Sequence, residues 1–377
     1  MKVLVVSKSF TKGGSASGAS NLAQALNAAG AEVVRVDAQE AIAGRPLAAV
    51  RFVERVYERL AHDAETHCLR LGPASVDLLA LCKIHKPDVV QLCDISANTI
   101  SFKALRRLPC PVFHRMSDFW PYHGARHYAP SPPTRPALAD RVLRWTAFSG
   151  APVPDIRVAP SHWLADHLVS GGVARDRLRV IRNAVTSPDE VQPRAHCAPG
   201  LRLGFIAGSI TDPRKGFKNL LPFLAALPGG AQVHLYGHPS KTDLPAVPGI
   251  EWVSGGRFTR DQKAGVYGSF DILLCPSLLD NSPNVLTEAF SFGVPVIAQS
   301  GTGMDSYVLP GTGALIDFKH LTSSALERFN ASVAEIVSTY TACSAAALSS
   351  ARDDLAPAVI GAAYLNLYHE ILTQRHD

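Results

Sequence analysis

The chain has 377 residues, enough for two ordinary domains and more than one typical hydrophobic core accommodates. Hydrophobic residues make up 47% and charged residues 18%, which is typical of a folded α/β protein and excludes a disordered or fibrous chain. No apolar run reaches roughly 18 residues, the length of a short membrane span, and MKVLVVSKSF lacks the basic leader and cleavage site of a signal peptide. We therefore expect a cytoplasmic protein.

Cysteine spacing argues against both a disulfide framework and a zinc site. The seven cysteines are scattered, and none stands in a Cys-x-x-Cys pair. We expect most of them to be small buried apolar side chains.

The net charge of +5 is unevenly placed: residues 1–190 carry +7 and residues 191–377 carry −2. Residues 51–60 space Arg51, Arg55 and Arg59 four apart beside an apolar stripe, which is typical of a basic amphipathic helix. Two interpretations stay open, a surface helix packed on its own domain or a helix that contacts anionic lipid headgroups at the inner face of the membrane. Nucleic acid is not an expected partner, because no basic–aromatic interleaving or binding motif accompanies the charge.

Strands alternate with helical segments in the first half. Residues 2–7 (KVLVVS) are a β-branched run of the buried parallel kind, followed by a Gly/Ser-rich turn (KGGSASGAS) and a helix at residues 21–30. Further strands are predicted at residues 31–38, 87–94, 110–118 and 155–161. This alternation predicts a parallel sheet covered by helices on both faces.

The pattern restarts after a polar, Pro-containing stretch, with strands predicted at residues 201–208, 232–237, 250–255, 271–277 and 295–300 and helices at residues 215–227 and 283–293. We predict an α/β protein of two Rossmann-like, doubly wound parallel-sheet domains facing across a cleft. The predicted parts are a first domain (1–186), a linker (187–200), a second domain (201–354) and a C-terminal helix (355–377) that packs back across the domain boundary. Binding residues are expected on loops that follow strands.

Two of these loops have residues suited to a phosphate. Gly13 and Gly14 precede the first helix and allow a ligand close to the backbone, although a plain tight turn explains them equally well. This loop matches neither the dinucleotide fingerprint nor the P-loop. In the second half, Lys215 stands just before Gly216 and a helix and offers a cationic head to a phosphate, whereas Arg214 is expected to point to solvent or to an acid.

A third loop, DNSPNVLTE (residues 280–288), contains two acids beside a helix start. Ser282 is predicted as the N-cap and Pro283 as the first helical residue. The next amides then form an anion site: those of Asn284, Val285 and Leu286.

The acids Asp280 and Glu288 flank that anion site. Together with Lys215 they suit a sugar nucleotide, because the diphosphate can meet the helix end while carboxylates accept hydrogen bonds from sugar hydroxyls. An isolated pair of acids at this spacing has a simpler explanation, in which one aids the helix N-terminus and the other is an ordinary helix residue.

The segment CPSLLDNSPNVLTEAFSFGVPVIAQSGTGMDSYV resembles the hallmark segment of the retaining glycosyltransferases of family 4, which have the GT-B fold. In that family, two acids at this spacing precede an alanine, a small-residue turn and G-x-P-V; the matching residues are Asp280, Glu288, Ala289, Gly293, Pro295 and Val296. TDPRKGFKNLL is similar to the family's phosphate-binding lysine loop, and KGGSASGASNLAQAL to its first glycine loop. SDFWPYHGARHY resembles a segment of members that build bacterial surface polysaccharides.

The resemblance implies roles by position. Glu288 would hold the ribose, Asp280 the donor sugar, Lys215 and the three helix amides the diphosphate, and Gly13 and Gly14 would border the reacting centre. It implies retaining transfer from a nucleotide sugar to a saccharide or polyprenyl-linked acceptor, in polysaccharide or lipopolysaccharide biosynthesis. No cofactor or metal is expected, since the chain contains no Asp-x-Asp motif.

Three positions depart from the family pattern. Asp280 replaces the usual glutamate and shortens the reach to the sugar by one methylene. Ser209, expected in the donor site, stands where many members have an arginine. Ser117 replaces the histidine that commonly precedes Asp118, itself a catalytic candidate; four nearby side chains could compensate, namely His114, His123, Arg126 and His127.

Two alternatives remain open at the level of sequence. One is a nucleotide-sugar-binding scaffold without transferase activity, which the serines at positions 209 and 117 would favour. The other is a sugar-nucleotide epimerase of the same architecture. The sequence does not choose among UDP, GDP and dTDP donors, nor does it identify the acceptor.

Overall fold

The computed structural model describes residues 1–11, 13–38, 56, 74–96, 99–120, 127–128, 154–195, 200–238 and 244–375. The predicted basic helix at residues 51–60 therefore lies outside the described residues except for Val56, as do His123 and Arg126. The chain divides into two compact units, Met1–Ala184 with Pro357–Asp377, and Val185–Ala356.

The first unit contains a six-stranded parallel sheet in the order β2-β1-β3-β4-β5-β6. Its strands are β1 (Lys2–Ser7), β2 (Glu32–Asp37), β3 (Val89–Leu92), β4 (Val112–Arg115), β5 (Ile156–Ala159) and β6 (Leu178–Val180). Its first helices are α1 (Gly14–Ala28), α2 (Leu78–His85) and α3 (His162–Ser170), with short 3₁₀ turns at Phe102–Arg107 and Arg175–Arg177. Successive residues of β1 enter the cores on opposite faces of the sheet, which is why the strand is a continuous apolar run.

The second unit contains another six-stranded parallel sheet, in the order β12-β11-β10-β7-β8-β9. Its strands are β7 (Arg202–Ser209), β8 (Ala231–His238), β9 (Ile250–Gly256), β10 (Ile272–Cys275), β11 (Val296–Gln299) and β12 (Gly313–Ile316). Its helices are α4 (Phe217–Ala225), α5 (Lys263–Gly268), α6 (Asn284–Ser291), α7 (Ser323–Ser338) and α8 (Tyr340–Ser349). Helices α4 and α7 cover one face and α5 and α6 cover the other, while α8 contributes residues to both cores.

The C-terminal helix α9 (Pro357–Gln374) belongs to the first unit, where it packs beside α1. Gly361 allows this approach, because a Cβ there would lie 1.9 Å from the carbonyl oxygen of Ala25. The Tyr368 hydroxyl donates to Oε1 of Gln91 on β3 over 2.6 Å, and its ring lies 4.6 Å from that of Phe113. The last helix of the chain thus completes the cover of the first sheet.

Two doubly wound parallel sheets confirm the predicted fold class, and each predicted strand overlaps an observed one. The predicted Gly/Ser turn before the first helix is wrong, because α1 already begins at Gly14 and Gly13 precedes it with a φ of 93°. Residues of the predicted linker contact the second unit, where Arg194 donates to the carbonyls of Tyr267 and Phe270.

The five described cysteines are buried, as expected. Over the described part of the chain, no helix is long and apolar enough to cross a membrane.

Candidate functional site

The second sheet has its switch point between β7 and β10. The chain runs from β7 outward through β8 and β9 and then returns to β10 on the other side of β7. Helices α4 and α6, which follow these two strands, lie on opposite faces. Ligands of open α/β sheets bind at the carboxyl ends of such strands, so residues 210–216 and 276–283 form the candidate site.

The two loops at this point are joined by a backbone hydrogen bond and a close backbone contact. The backbone N–H of Leu278 donates to the carbonyl of Arg214 over 2.8 Å. Gly216, with a φ of 73°, lies against the carbonyl of Pro276, and a Cβ there would come within 2.0 Å of that oxygen. Only glycine combines this φ with this approach.

Lys215 and Asp280 meet across the junction of the two loops. The Lys215 Nζ lies 2.7 Å from Oδ2 of Asp280, whose side chain is 6% exposed. A carboxylate this deeply buried requires such a partner, because an unpaired buried charge is costly. The pair leaves Oδ1 of Asp280 and two N–H donors of Lys215 for a ligand.

A glycine turn after β11 supports Asp280 from behind. The N–H of Gly303 donates to the Asp280 carbonyl over 2.9 Å. Gly303 also packs on the backbone of Asn281 so closely that a Cβ would lie 1.9 Å from its carbonyl oxygen. The turn therefore holds the backbone at Asp280, while Lys215 holds its carboxylate.

The predicted N-cap of α6 is wrong. The Ser282 hydroxyl donates to the hydroxyl of Tyr307 over 2.7 Å, and Pro283 takes the cap position without a side-chain hydrogen bond to the helix. Helix α6 begins at Asn284. The N–H of Leu286 donates to the Pro283 carbonyl over 3.1 Å, whereas Asn284 and Val285 are half-buried at the start of the helix.

Glu288, one turn into α6, is held by two side chains that sequence reasoning missed. The Lys263 Nζ lies 2.7 Å from its Oε1, and the Tyr267 hydroxyl donates to its Oε2 over 2.9 Å. Both partners lie on α5, more than twenty positions earlier in the chain. No spacing rule links them to Glu288, so only the tertiary structure could reveal this contact.

The loop after β7 lacks the second cation that many family members have. The Ser209 hydroxyl lies 3.2 Å from that of Thr211. Arg214 reaches Asp212, with Nη2 and Oδ2 3.3 Å apart, which confirms the expectation that it points to an acid. Lys215 is accordingly the cation that this loop places against Asp280.

Asp118 follows β4 in the first unit, and its partner is His127. The His127 Nδ1 lies 2.6 Å from Oδ2 of Asp118, while Oδ1 accepts from the N–H of Trp120 over 2.9 Å. The imidazole of His127 stacks on the Trp120 ring at 6.3 Å. Of the two candidate substitutes that the structure describes, His114 and His127, it is thus His127 that lies against Asp118.

His114 is a buried structural side chain on β4. Its Nε2 lies 3.1 Å from the carbonyl oxygen of Cys93. Burial, with the nearby charge of Arg157, lowers the pKa of His114 to about 3, so the ring is neutral at physiological pH.

Gly13 and Gly14 lie at the start of α1, after β1. Both are exposed, and no atom within 4 Å would meet a Cβ built at either position. The start of α1 is thus exposed at both glycines.

Family models match both halves of the chain. The model described as Glycosyltransferase Family 4 matches residues 12–187, and the model described as Glycosyl transferases group 1 matches residues 201–352. The chain belongs to the family 4 glycosyltransferases of the GT-B fold. It is therefore a glycosyltransferase.

Solved structures with the same fold cover the family 4 chain almost completely. HepE of Anabaena in complex with UDP is 16% identical with a TM-score of 0.59, over 98% of this chain and 100% of its own. Sucrose-phosphate synthase of Thermosynechococcus elongatus is 14% identical with a TM-score of 0.64, over 99% and 100%. WaaG, a glycosyltransferase involved in lipopolysaccharide biosynthesis, is 14% identical with a TM-score of 0.58, over 97% and 99%. No curated protein matches the sequence.

Proposed function

We propose that this glycosyltransferase moves a sugar from a nucleoside diphosphate sugar to a saccharide or polyprenyl-linked saccharide during assembly of a bacterial surface polysaccharide or lipopolysaccharide. The observation that carries the proposal is the Lys215–Asp280 pair at the switch point of the second sheet, beside the start of α6. Two relatives of the same fold support it, because HepE was solved with UDP-glucose and WaaG acts in lipopolysaccharide biosynthesis.

In this proposal the donor lies along the loops that follow β7 and β10. The diphosphate contacts the Lys215 ammonium and the first amides of α6, where the helix dipole also favours an anion. Asp280 uses its remaining oxygen to accept hydrogen bonds from the donor sugar, and Glu288 accepts from the ribose. Ser209 adds no charge and Arg214 is paired with Asp212, so Lys215 supplies the positive charge that meets the diphosphate.

The transfer proceeds with retention by front-face substitution. The acceptor oxygen bonds to the anomeric carbon on the side from which the diphosphate leaves, and the acceptor proton passes to an oxygen of that leaving group. No protein nucleophile, metal or other cofactor takes part. The leaving charge is stabilised by Lys215 and the α6 amides, and one preorganised donor of this kind contributes about 3–4 kcal/mol.

Acceptor binding is proposed for the first unit, with Asp118 and its partner His127 at the carboxyl edge of the first sheet. A basic surface on the same unit supports contact with the cytoplasmic face of a membrane. Helix α2, which also carries the 70% exposed Ile84, packs with the Phe102–Arg107 turn. These two elements and the residue after α2 carry five exposed cations: Lys83, Lys86, Lys103, Arg106 and Arg107. Such a surface suits anionic lipid headgroups.

Radiolabelled UDP-, GDP- and dTDP-sugars incubated with the purified protein and a bacterial membrane extract test the proposal. We expect label to enter the lipid or polysaccharide fraction from donors of one base, with the anomeric configuration of the donor and with no loss in EDTA. Nucleotide-sugar binding without transfer would instead indicate a scaffold. Isomerisation of the donor in the absence of extract would indicate an epimerase.

A further inference from the structure

Both oxygens of the Glu288 carboxylate are engaged by side chains of α5. Oε1 lies 2.7 Å from the Lys263 ammonium, and Oε2 accepts from the Tyr267 hydroxyl over 2.9 Å. The Glu288 side chain is 13% exposed, so the surrounding protein rather than water sets its orientation. An ammonium thus holds one oxygen of the carboxylate and a phenol hydroxyl holds the other.

Tyr267 is the rigid member of this group. It is completely buried, and its ring stacks parallel to Phe292 at 5.1 Å and meets the edge of Phe270 at 5.9 Å. Burial and the adjacent Glu288 raise the pKa of Tyr267 well above its usual value of 10, so its hydroxyl keeps its proton and stays a donor. Three aromatic rings thus fix the direction from which Glu288 receives this hydrogen bond.

Lys263 is the more exposed partner of Glu288. It begins α5 directly after the Arg260–Gln262 turn, and its side chain is 26% exposed. Its ammonium offsets the negative charge of Glu288. This matters in a site that must also accept a diphosphate, because an unbalanced carboxylate would repel the ligand.

A carboxylate held in this way has a defined number of hydrogen-bond acceptor positions left for a ligand. Each oxygen can accept two hydrogen bonds, and one position on each is already used. The second position on each oxygen is then fixed in space, and two neighbouring hydroxyls can donate to the two oxygens. We infer that Tyr267 and Lys263 are positioning residues that hold Glu288 for the 2′- and 3′-hydroxyls of a ribose and make the donor site select ribonucleoside over 2′-deoxyribonucleoside diphosphates. This inference rests on the proposed function of Glu288.

Calorimetric titration with UDP and 2′-deoxy-UDP, and with GDP and 2′-deoxy-GDP, measures this selectivity directly. Loss of one hydroxyl leaves an acceptor position of a mostly buried carboxylate unfilled, so we expect wild-type protein to bind the ribonucleotide about tenfold to a hundredfold more tightly. In Glu288→Gln and Tyr267→Phe the ratio of the two dissociation constants falls to about threefold or less. In Lys263→Met it falls similarly and both nucleotides bind more weakly, whereas Lys263→Arg retains the ratio.

Two matched variants separate this role from general stability. Tyr340→Phe removes another buried hydroxyl of the same unit, which donates to the Asp271 carbonyl over 3.0 Å, and Lys218→Met removes an exposed cation of α4. Both should keep the wild-type ratio. A melting curve for each protein verifies folding, and Lys263→Met preserves the test if Tyr267→Phe fails to fold.

The possible outcomes separate the inference from the proposed function. Wild-type protein that binds none of UDP, GDP and dTDP overturns both. Wild-type protein that binds dTDP but neither ribonucleotide overturns the inference and leaves the proposed function intact. Wild-type protein that prefers the ribonucleotide, with a ratio unchanged in folded Tyr267→Phe and Lys263→Met, overturns the positioning role and leaves the donor class intact. A wild-type ratio near one overturns the selectivity in the same way.

Discussion

Lys215 and Asp280 form an ion pair with 2.7 Å between Nζ and Oδ2, although 65 positions separate them in the chain. Each follows a different strand of the switch point, so the pair exists only once β7 and β10 lie side by side. In the proposed donor site, the acid holds the ammonium in position for the diphosphate. The protein therefore orders this cation during folding, before any donor binds.

Replacement of Lys215 by alanine should lower transfer and stability together. Without its ammonium, kcat/KM should fall by two or more orders of magnitude, because a preorganised donor to the leaving group is lost. The free energy of unfolding should fall by about 1–3 kcal/mol, since a buried carboxylate loses its partner. Denaturant unfolding of Lys215→Ala and of the double variant Lys215→Ala/Asp280→Asn distinguishes the two effects.

The double variant should recover most of the stability and none of the activity, because a neutral amide needs no counter-ion. Lys218→Ala is the control, as it removes an exposed cation three residues away and should leave both quantities unchanged. Wild-type kcat/KM in folded Lys215→Ala would remove this lysine from the reaction.

Gly303→Ala tests the support behind Asp280. The added methyl would lie 1.9 Å from the Asn281 carbonyl oxygen, a contact of backbone with backbone that only a shift of the loop can relieve. We expect a loss of about 1–3 kcal/mol of stability, as for other overpacked sites, and at least tenfold weaker donor binding. Gly265→Ala, on an exposed part of α5 with open space around its Cα, should be neutral or slightly stabilising. Unchanged nucleotide-sugar affinity in Gly303→Ala would show that the loop tolerates displacement.

His127→Ala should separate acceptor from donor functions. Removal of the imidazole takes away the 2.6 Å contact with Asp118, so we expect transfer to fall about tenfold while the dissociation constant of the nucleotide stays at its wild-type value; general acid–base or positioning groups typically contribute at least this much. His127→Asn, whose amide N–H can approach the position of Nδ1, should restore part of the rate. Equal losses of nucleotide affinity and of transfer rate would argue against an acceptor-side role.

The parts of the fold that follow from local pattern could be predicted, and those that depend on distant partners could not. β1, β7 and β10 were evident as continuous apolar runs, because strands covered on both faces need them. By contrast, β6 has only three residues and no such run. The glycines and serines in the first turns of α1 are typical of a loop, so the sequence predicted one there. In the structure Gly18 has a packing role instead, because a Cβ at this position would lie 2.6 Å from the Arg115 guanidinium.

The candidate site shows the same division. The spacing of Asp280 and Glu288 and the lysine before Gly216 were readable in the sequence. The cap of α6 was not, because Tyr307 captures the Ser282 hydroxyl from another loop. Lys263 and Tyr267 reach Glu288 only through the packing of α5 on α6, which no local spacing encodes.

His114 should make the first unit sensitive to mild acid. Its pKa is lowered to about 3 in the folded protein by burial and by the charge of Arg157, whereas an unfolded chain has the ordinary value near 6.5. Between pH 6.5 and pH 3, His114 is protonated in the unfolded chain and neutral in the folded protein. The stability is therefore fully present above about pH 6.5 and is lost as the pH falls toward 3, by up to about 1.4 kcal/mol per pH unit for this one group.

Denaturant unfolding of wild-type protein and His114→Gln between pH 7.5 and 4.5 isolates this contribution, because every other titrating group is common to both proteins. We expect the difference in unfolding free energy between them to be constant above neutral pH and to shift steadily in favour of the variant as the pH decreases. Glutamine keeps a donor that can reach the Cys93 carbonyl, so loss of the 3.1 Å hydrogen bond does not dominate the comparison. Parallel pH profiles for the two proteins would mean that His114 accepts its proton in the folded state without cost, and that the acid sensitivity of this unit originates elsewhere.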